Sequence, residues 1–185
     1  MKDIKQYINL TTDIKEGFKL NKNYKKPYNY YPDNADELKD IVKKLIAERG
    51  NEVDLNDIDT SRIVDMGKLF YDSDFNGDIS EWDVSNVIDM SAMFMASKFN
   101  GDLSKWNVSK VINMYSMFWQ SDFTGENGDI SNWDVSRVKN MKYLFSYSKY
   151  TGDVSNWKLN KNCDKKHMFW HSLLEGKEPA WYTNR

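Results

Sequence analysis

A short acidic segment in the first half of the chain has the residue spacing of a calcium-binding loop. Four of its side chains could supply oxygen ligands, namely Asp72, Asp74, Asn76 and Asp83. Acids or amides at positions 1, 3 and 5 and a glycine at position 6 are typical of a Ca²⁺-binding loop. Position 12, which normally carries glutamate, is Asp83 here. Part of the same string returns at Phe99, where Ala96 and Lys98 replace two of the acids. We therefore expect a structural role for this segment and no bound calcium.

A second candidate metal site lies near the C-terminus. Cys163, His167 and His171 are four residues apart, so that a helix would place them on one face, and Glu175 could be a fourth ligand. Zinc accepts such a set of ligands. The segment is also the last and least regular copy of an internal repeat, where polar substitutions are expected without a metal. We expect neither a metal nor any other cofactor.

Residues for catalysis are not apparent in the sequence. The chain has two histidines, both in this C-terminal segment, and it has no phosphate-binding loop and no dinucleotide fingerprint. Its carboxylates fall at fixed positions of the repeat. Four of them follow a glycine in successive copies and are expected to bond to the backbone of their own turn: Asp78, Asp102, Asp129 and Asp153. We expect no catalytic residues, and therefore a protein that is not an enzyme.

The elements that would position these side chains are copies of one repeat. The string GDISEWDVSNVIDMSAMF begins at Gly77 and returns as GDLSKWNVSKVINMYSMF from Gly101 and as GDISNWDVSRVKNMKYLF from Gly128. Trp82, Trp106, Trp133 and Trp157 are separated by 24, 27 and 24 residues. A phenylalanine series that starts at Phe70 has the same long interval, which indicates a three-residue insertion at 126–128.

Each copy is predicted to form a short strand followed by a short helix. The segment DISEWDV is β-branched and aromatic, as in strands. The i, i+3, i+6, i+7 spacing of the apolar residues Val87, Met90, Met93 and Phe94 favours a short helix. One copy cannot bury its own apolar face, so the copies are expected to stack. We therefore expect an α/β fold, a right-handed solenoid of about five coils with an N-terminal capping helix.

Four regions follow from this organisation. Residues 1–32 form a basic, aromatic N-terminal arm, and residues 33–54 form the amphipathic capping helix and its connection to the repeats. Residues 55–174 form the repeat solenoid, and residues 175–185 form a C-terminal tail. The apolar stripe of the helix consists of Leu38, Ile41, Val42, Leu45 and Ile46.

The repeat resembles that of a known group of proteins. FNGDISEWDVSNVIDMSAMF is similar to the repeat of BspA-like leucine-rich-repeat proteins, a group also seen in bacterial surface lipoproteins. The preceding ELKDIVKKLIAERG-NEVDLNDIDTS is similar to the helix and strand that lead into such arrays. The resemblance covers about residues 30–170. It implies a leucine-rich-repeat-like solenoid and, at the level of the family, attachment or protein–protein interaction.

The charge and hydropathy of the sequence bear on nucleic-acid binding and on the location of the protein in the cell. The formal charge is −2, which argues against a basic nucleic-acid-binding surface, so we expect no direct nucleic-acid binding. Residues 51–156 carry 9 basic and 17 acidic side chains and form an acidic body. The sequence contains no apolar run long enough for a membrane span and no signal-peptide or lipobox pattern. We expect a cytoplasmic protein that has no contact with a membrane.

The residues that differ between copies are the candidates for a binding surface. Conserved repeat positions are expected to form the core, whereas variable ones face solvent. Tyr115 and Tyr147 are aromatic residues at such variable positions, a residue type enriched at interface hot spots. Trp119 and Trp170 share a mostly apolar position, which fits either burial against a neighbouring copy or contact with a partner. These four residues form the predicted partner-binding set.

Together these features predict a non-catalytic protein–protein interaction module with a protein partner of unknown identity. Two alternatives remain open. The first is an inhibitor of a nucleic-acid-handling protein, such as a phage-type counter-defence factor, that acts through the acidic face. The second is an adhesin-like surface protein, as the resemblance implies.

Overall fold

A computed structural model describes residues 28–182, so the predicted N-terminal arm lies largely outside the described part of the chain. The predicted helix is present as α1, Ala35–Arg49. The side chain of Asn34 accepts hydrogen bonds from the backbone N–H groups of Asp36 and Glu37 and so caps the first turn. The helix ends at Gly50, where φ is 90°. In the described part of the chain, no helix is long and apolar enough to cross a membrane.

The prediction of an α/β, leucine-rich-repeat-like, right-handed solenoid with a strand and a helix in each coil is wrong. Within residues 51–182, each copy of the repeat is a succession of tight turns and irregular segments. In one copy, N–H groups bond to the carbonyl three residues earlier, as in Trp82 to Ile79 and Val87 to Val84. Strand pairing within residues 28–182 is limited to isolated parallel bridges: Tyr30–Ile58, Asp54–Asp78, Asp65–Asp89, Asp89–Asn113, Asn113–Asn140 and Asn140–Asp164.

Two local features explain why neither strands nor helices form in the copies. Asp78, Asp83 and Asp89 each accept a hydrogen bond from the backbone N–H two residues later, which closes a turn. Ala92 and Ala96 have φ values of 52° and 56°, in the left-handed region. A right-handed helix cannot continue through such residues. The spacing that indicated a helix therefore belongs to a series of turns.

Neighbouring copies are nevertheless joined by backbone hydrogen bonds. In the segment 90–96, every second N–H donates to a carbonyl of the next copy, and the intervening N–H groups of Met93 and Met95 close turns within the copy. The four bonds that this segment donates to the next copy run from Met90 to Asn113, Ala92 to Tyr115, Phe94 to Met117 and Ala96 to Trp119, with lengths of 2.7–2.9 Å. Equivalent side chains therefore lie over one another.

The core is a set of side-chain stacks that run through the copies. In one stack each copy contributes a buried phenylalanine, and adjacent rings are nearly parallel with centroids 5.5–5.8 Å apart: Phe70, Phe94, Phe118, Phe145 and Phe169. A tryptophan series lies beside them, and each indole N–H donates to a backbone carbonyl 27 or 30 residues earlier: Trp82, Trp106, Trp133, Trp157 and Trp181. Trp181 lies in the predicted C-terminal tail, so the stacking extends into that segment.

Candidate functional site

The predicted partner-binding residues lie together in one open groove on the surface of the stack. The groove has a volume of about 560 Å³. It is lined by Met95, Tyr115, Ser116, Trp119, Gln120, Tyr143, Tyr147 and Trp170. Tyr115, Trp119, Tyr147 and Trp170 come from three successive copies, so that the stacking of the repeat brings them together. Among the residues that the structure describes, those lining the groove carry no formal charge.

The backbone that holds these side chains belongs to the hydrogen-bond ladder between copies. The carbonyls of Tyr115 and Trp119 accept N–H groups from the preceding copy at 2.8 and 2.7 Å. Tyr147 donates its N–H to the carbonyl of Trp170 at 2.8 Å, and the hydroxyl of Ser146 donates to the same carbonyl at 2.9 Å. The groove is therefore built on backbone that is paired between copies.

Edge-to-face contacts between rings fix the side chains relative to one another. The ring of Tyr147 lies 6.0 Å from that of Trp119 and 5.4 Å from that of Trp170, at interplanar angles of 68° and 70°. Tyr115 meets Tyr143 at 6.2 Å and 85°. Such geometry is favourable for aromatic pairs. Tyr115, Tyr147 and Trp170 nevertheless keep 40%, 41% and 42% of their surface exposed, so their rings remain accessible.

Tyr143 and Met95 complete the groove and were missed from the sequence. Tyr143 has φ 60° and shares its repeat position with Ala92 and Ser116, which are small and buried. Lys68 and His167 occupy the same position in two other copies, so the signal was a large aromatic residue at a variable position. The position of Lys142 adds a cation at the edge of the groove, since its ammonium lies 5.2 Å from the centroid of the Tyr143 ring.

The two groove tryptophans differ from the other five in the hydrogen bonding of their indole N–H groups. The chain has seven tryptophans, and five of them donate to backbone carbonyls in the core. Within residues 28–182, the N–H groups of Trp119 and Trp170 have no such acceptor. In the described part of the chain, these two indoles are therefore not tied to the core by a hydrogen bond.

The side chains of the calcium-like segment are engaged in separate contacts. Asp74 forms an ion pair with Lys98 at 2.6 Å, and Asn76 accepts the backbone N–H of Asn100. Asp83 accepts the N–H of Ser85, and Asp72 adopts a left-handed backbone with φ 51°. Between residues 28 and 182, no group of three or more His, Cys, Asp or Glu side chains is placed to hold a metal ion.

The three side chains of the zinc-like segment also have different neighbours. Cys163 is buried, and burial raises the pKa of its thiol to about 11. The ring of His167 stacks on Tyr143 at 5.3 Å. The Nδ1 atom of His171 lies 3.7 Å from a carboxylate oxygen of Glu175. The two histidines thus extend the surface rings beyond the groove toward the last copy.

The carboxylates that follow the repeat glycines have the predicted structural role. Asp78, Asp102, Asp129 and Asp153 each accept the backbone N–H of the serine two residues later, at 2.7–2.9 Å. This contact holds each turn closed in the same way from copy to copy. The regular acidic residues are therefore explained by the fold.

Comparison with protein families places the whole stack in one group. The sequence model of the family described as "Mycoplasma protein of unknown function, DUF285" matches residues 37–126 and 122–183. The chain belongs to this family. The two matched segments of the DUF285 chain overlap in the copy that carries the insertion, and together they include most of the helix, the repeats and the groove. This match supports a related repeat family, whereas the assignment to BspA-like leucine-rich-repeat proteins stays a prediction. Neither a curated protein nor a solved structure matches the chain.

Proposed function

We propose that the protein is a non-catalytic protein–protein interaction module that binds its partner in the aromatic groove. The observation that carries this proposal is the convergence of Tyr115, Trp119, Tyr147 and Trp170 in one open site. All four occupy positions at which the copies differ, so the repeat itself does not require an aromatic residue there. Tyrosine and tryptophan are enriched at interface hot spots.

The rigidity of the groove favours binding. A partner that docks on flexible side chains must order them, at about 0.5–1.5 kcal/mol for each side chain immobilised. Here the rings already contact one another at 5.4–6.2 Å, and their backbone is paired with neighbouring copies. Most of that ordering cost is therefore met when the protein folds, and apolar contact with the rings contributes more fully to affinity.

A capture experiment with matched variants tests the proposal. The full chain, immobilised, is incubated with extract of the cells that produce it, and retained proteins are identified and then purified for rebinding. Trp170→Ala and Tyr115→Ala remove groove rings, whereas Tyr71→Ala removes an exposed ring outside the groove. We expect a protein that rebinds the wild type and the Tyr71 variant but is lost from both groove variants.

Two results would overturn this function. If no protein rebinds in purified form, the groove is not a protein-binding site. If the same protein is retained equally by all four chains, binding uses another surface, and the acidic-face inhibitor becomes the better explanation when DNA competes with the partner. Fractionation of the same cells tests the expected cytoplasmic location, since recovery at the cell surface would favour the adhesin-like alternative.

A further inference from the structure

We propose that the segment bound in the groove is proline-rich and adopts the polyproline II conformation. This inference rests on the proposed function and specifies its ligand. Polyproline II is an extended helix without internal hydrogen bonds, and proline has no backbone N–H, so its carbonyl groups need external donors. A receptor for it therefore requires aromatic faces, which pack on the pyrrolidine rings, together with N–H or O–H donors.

The groove supplies both requirements. Five of its eight lining residues are aromatic: Tyr115, Trp119, Tyr143, Tyr147 and Trp170. The indole N–H groups of Trp119 and Trp170 have no acceptor within residues 28–182 and can donate to ligand carbonyls. The lining has no carboxylate, which would compete for those donors and repel the carbonyl oxygens.

The backbone separation of the two tryptophan positions is close to the repeat of the ligand. Trp119 and Trp170 lie at the same position of the repeat, two copies apart, with Ser146 between them. Parallel bridges join these copies, which sets a backbone separation of about 4.8 Å per copy and about 10 Å over two copies. Polyproline II rises about 3.1 Å per residue, or about 9.3 Å per three-residue turn. A ligand along the stack can thus present a carbonyl to each indole, three residues apart.

Other aromatic-binding ligands fit the lining less well. Single-stranded nucleic acid stacks on aromatic rings but also requires a cationic track along its phosphates. The cation in contact with a ring of the groove is Lys142, at its edge, whereas the groove itself has no charged lining residue. A sugar chain would use stacking together with several polar side chains for its hydroxyls, and the described lining supplies two uncharged polar residues without an aromatic ring, Ser116 and Gln120.

Titration with defined ligands tests this inference independently of any cellular partner. The full chain is titrated with a ten-residue polyproline peptide, a ten-residue Gly/Ser peptide, a ten-nucleotide oligothymidylate and a hexasaccharide, with tryptophan fluorescence and calorimetry as readouts. We expect polyproline to bind with a Kd below about 1 mM and the other three to bind at least tenfold more weakly. Trp170→Ala should weaken polyproline binding more than tenfold, and Tyr71→Ala should leave it unchanged.

The conservative variants Trp119→Phe and Trp170→Phe distinguish the contribution of the indole N–H donor to binding from that of the aromatic ring. Each keeps an aromatic face but removes the indole N–H, so each should weaken polyproline binding by about 2–12-fold. Circular dichroism and thermal unfolding establish that the variants are folded. The inference would be overturned if polyproline does not bind, or if the oligonucleotide or the sugar binds more tightly than polyproline. It would also be overturned if the Phe variants bind polyproline as tightly as the wild type. A cellular partner that depends on the groove but lacks proline-rich segments would overturn this inference alone, whereas the absence of any partner would overturn the proposed function.

Discussion

Replacement of Tyr150 by phenylalanine should stabilise the protein. Tyr150 is fully buried in a stack whose other members are Phe75, Phe99 and Phe123, and its ring lies 4.2 Å from that of Phe145. Its hydroxyl is buried and has no hydrogen-bond partner within residues 28–182. Such an unpaired polar group costs about 1–3 kcal/mol.

The change Tyr150→Phe removes the hydroxyl and keeps the ring, so we expect the free energy of unfolding to rise by about 1–2 kcal/mol. For a chain of this length, the midpoint of thermal unfolding should rise by about 2–8 °C. Urea unfolding followed by circular dichroism measures the free energy, with an unchanged m-value as evidence that only stability has altered. The matched control is Phe123→Tyr, which adds a hydroxyl to the same stack and should lower stability by about 1–3 kcal/mol.

The pH dependence of stability provides a second readout on the same variant. Burial, with smaller contributions from Asp129 and Asp153, raises the pKa of Tyr150 above its ordinary value. Above about pH 10 the unfolded chain therefore releases a proton that the folded chain retains, and stability falls as the pH rises. The free energy of unfolding of the Tyr150→Phe variant should therefore fall less steeply above pH 10 than that of the wild type. If the variant is less stable than the wild type at pH 7, the hydroxyl is hydrogen-bonded in solution and the reasoning is refuted.

Two further predictions concern the backbone and the thiol. Ala96→Gly should raise the free energy of unfolding, measured by urea unfolding, by about 0.5–1 kcal/mol. Ala96 has φ 56°, and glycine adopts this left-handed conformation without the strain that a side chain causes. Ala47→Gly, at an exposed position in the last turn of α1, is the control and should lower the free energy of unfolding by up to about 1 kcal/mol, and equal effects at the two sites would contradict the left-handed assignment. Cys163 should react with iodoacetamide at pH 8 about 100-fold more slowly in the folded protein than in urea, because burial raises the pKa of its thiol to about 11, and similar rates would contradict that burial.

The stacking of equivalent residues could be predicted from the sequence, but the local structure of each copy could not. The shared 27-residue interval in the tryptophan and phenylalanine series determines which residues lie over one another, and the stacked Phe118 and Phe145 lie on either side of the insertion. The prediction of a strand and a helix in each copy was wrong because the spacing of apolar residues is similar in a helix and in successive turns. Left-handed residues such as Ala92 and Ala96 are not glycines, so the sequence carries no signal for them.

The groove residues were predicted for a physical reason that applies to any stacked repeat. Variable positions need not serve the core, so that aromatic residues there mark a surface, and Tyr115 and Tyr147 are indeed exposed. The arrangement of the rings depends on the left-handed backbone at Tyr143 and Tyr147, which the repeat pattern does not reveal. The donors of Trp119 and Trp170 became apparent only once the hydrogen bonds of the other tryptophans were known.

Hydrogen exchange at the seven indole N–H groups tests most directly whether the stacked copies present a preformed aromatic groove. In a two-dimensional ¹H–¹⁵N spectrum, the five indoles that donate to backbone carbonyls should be protected. The indoles of Trp119 and Trp170 should exchange rapidly, and theirs should be the two indole resonances that shift on addition of polyproline. Protection of Trp119 and Trp170 without ligand, or rapid exchange at the core tryptophans, would contradict the account.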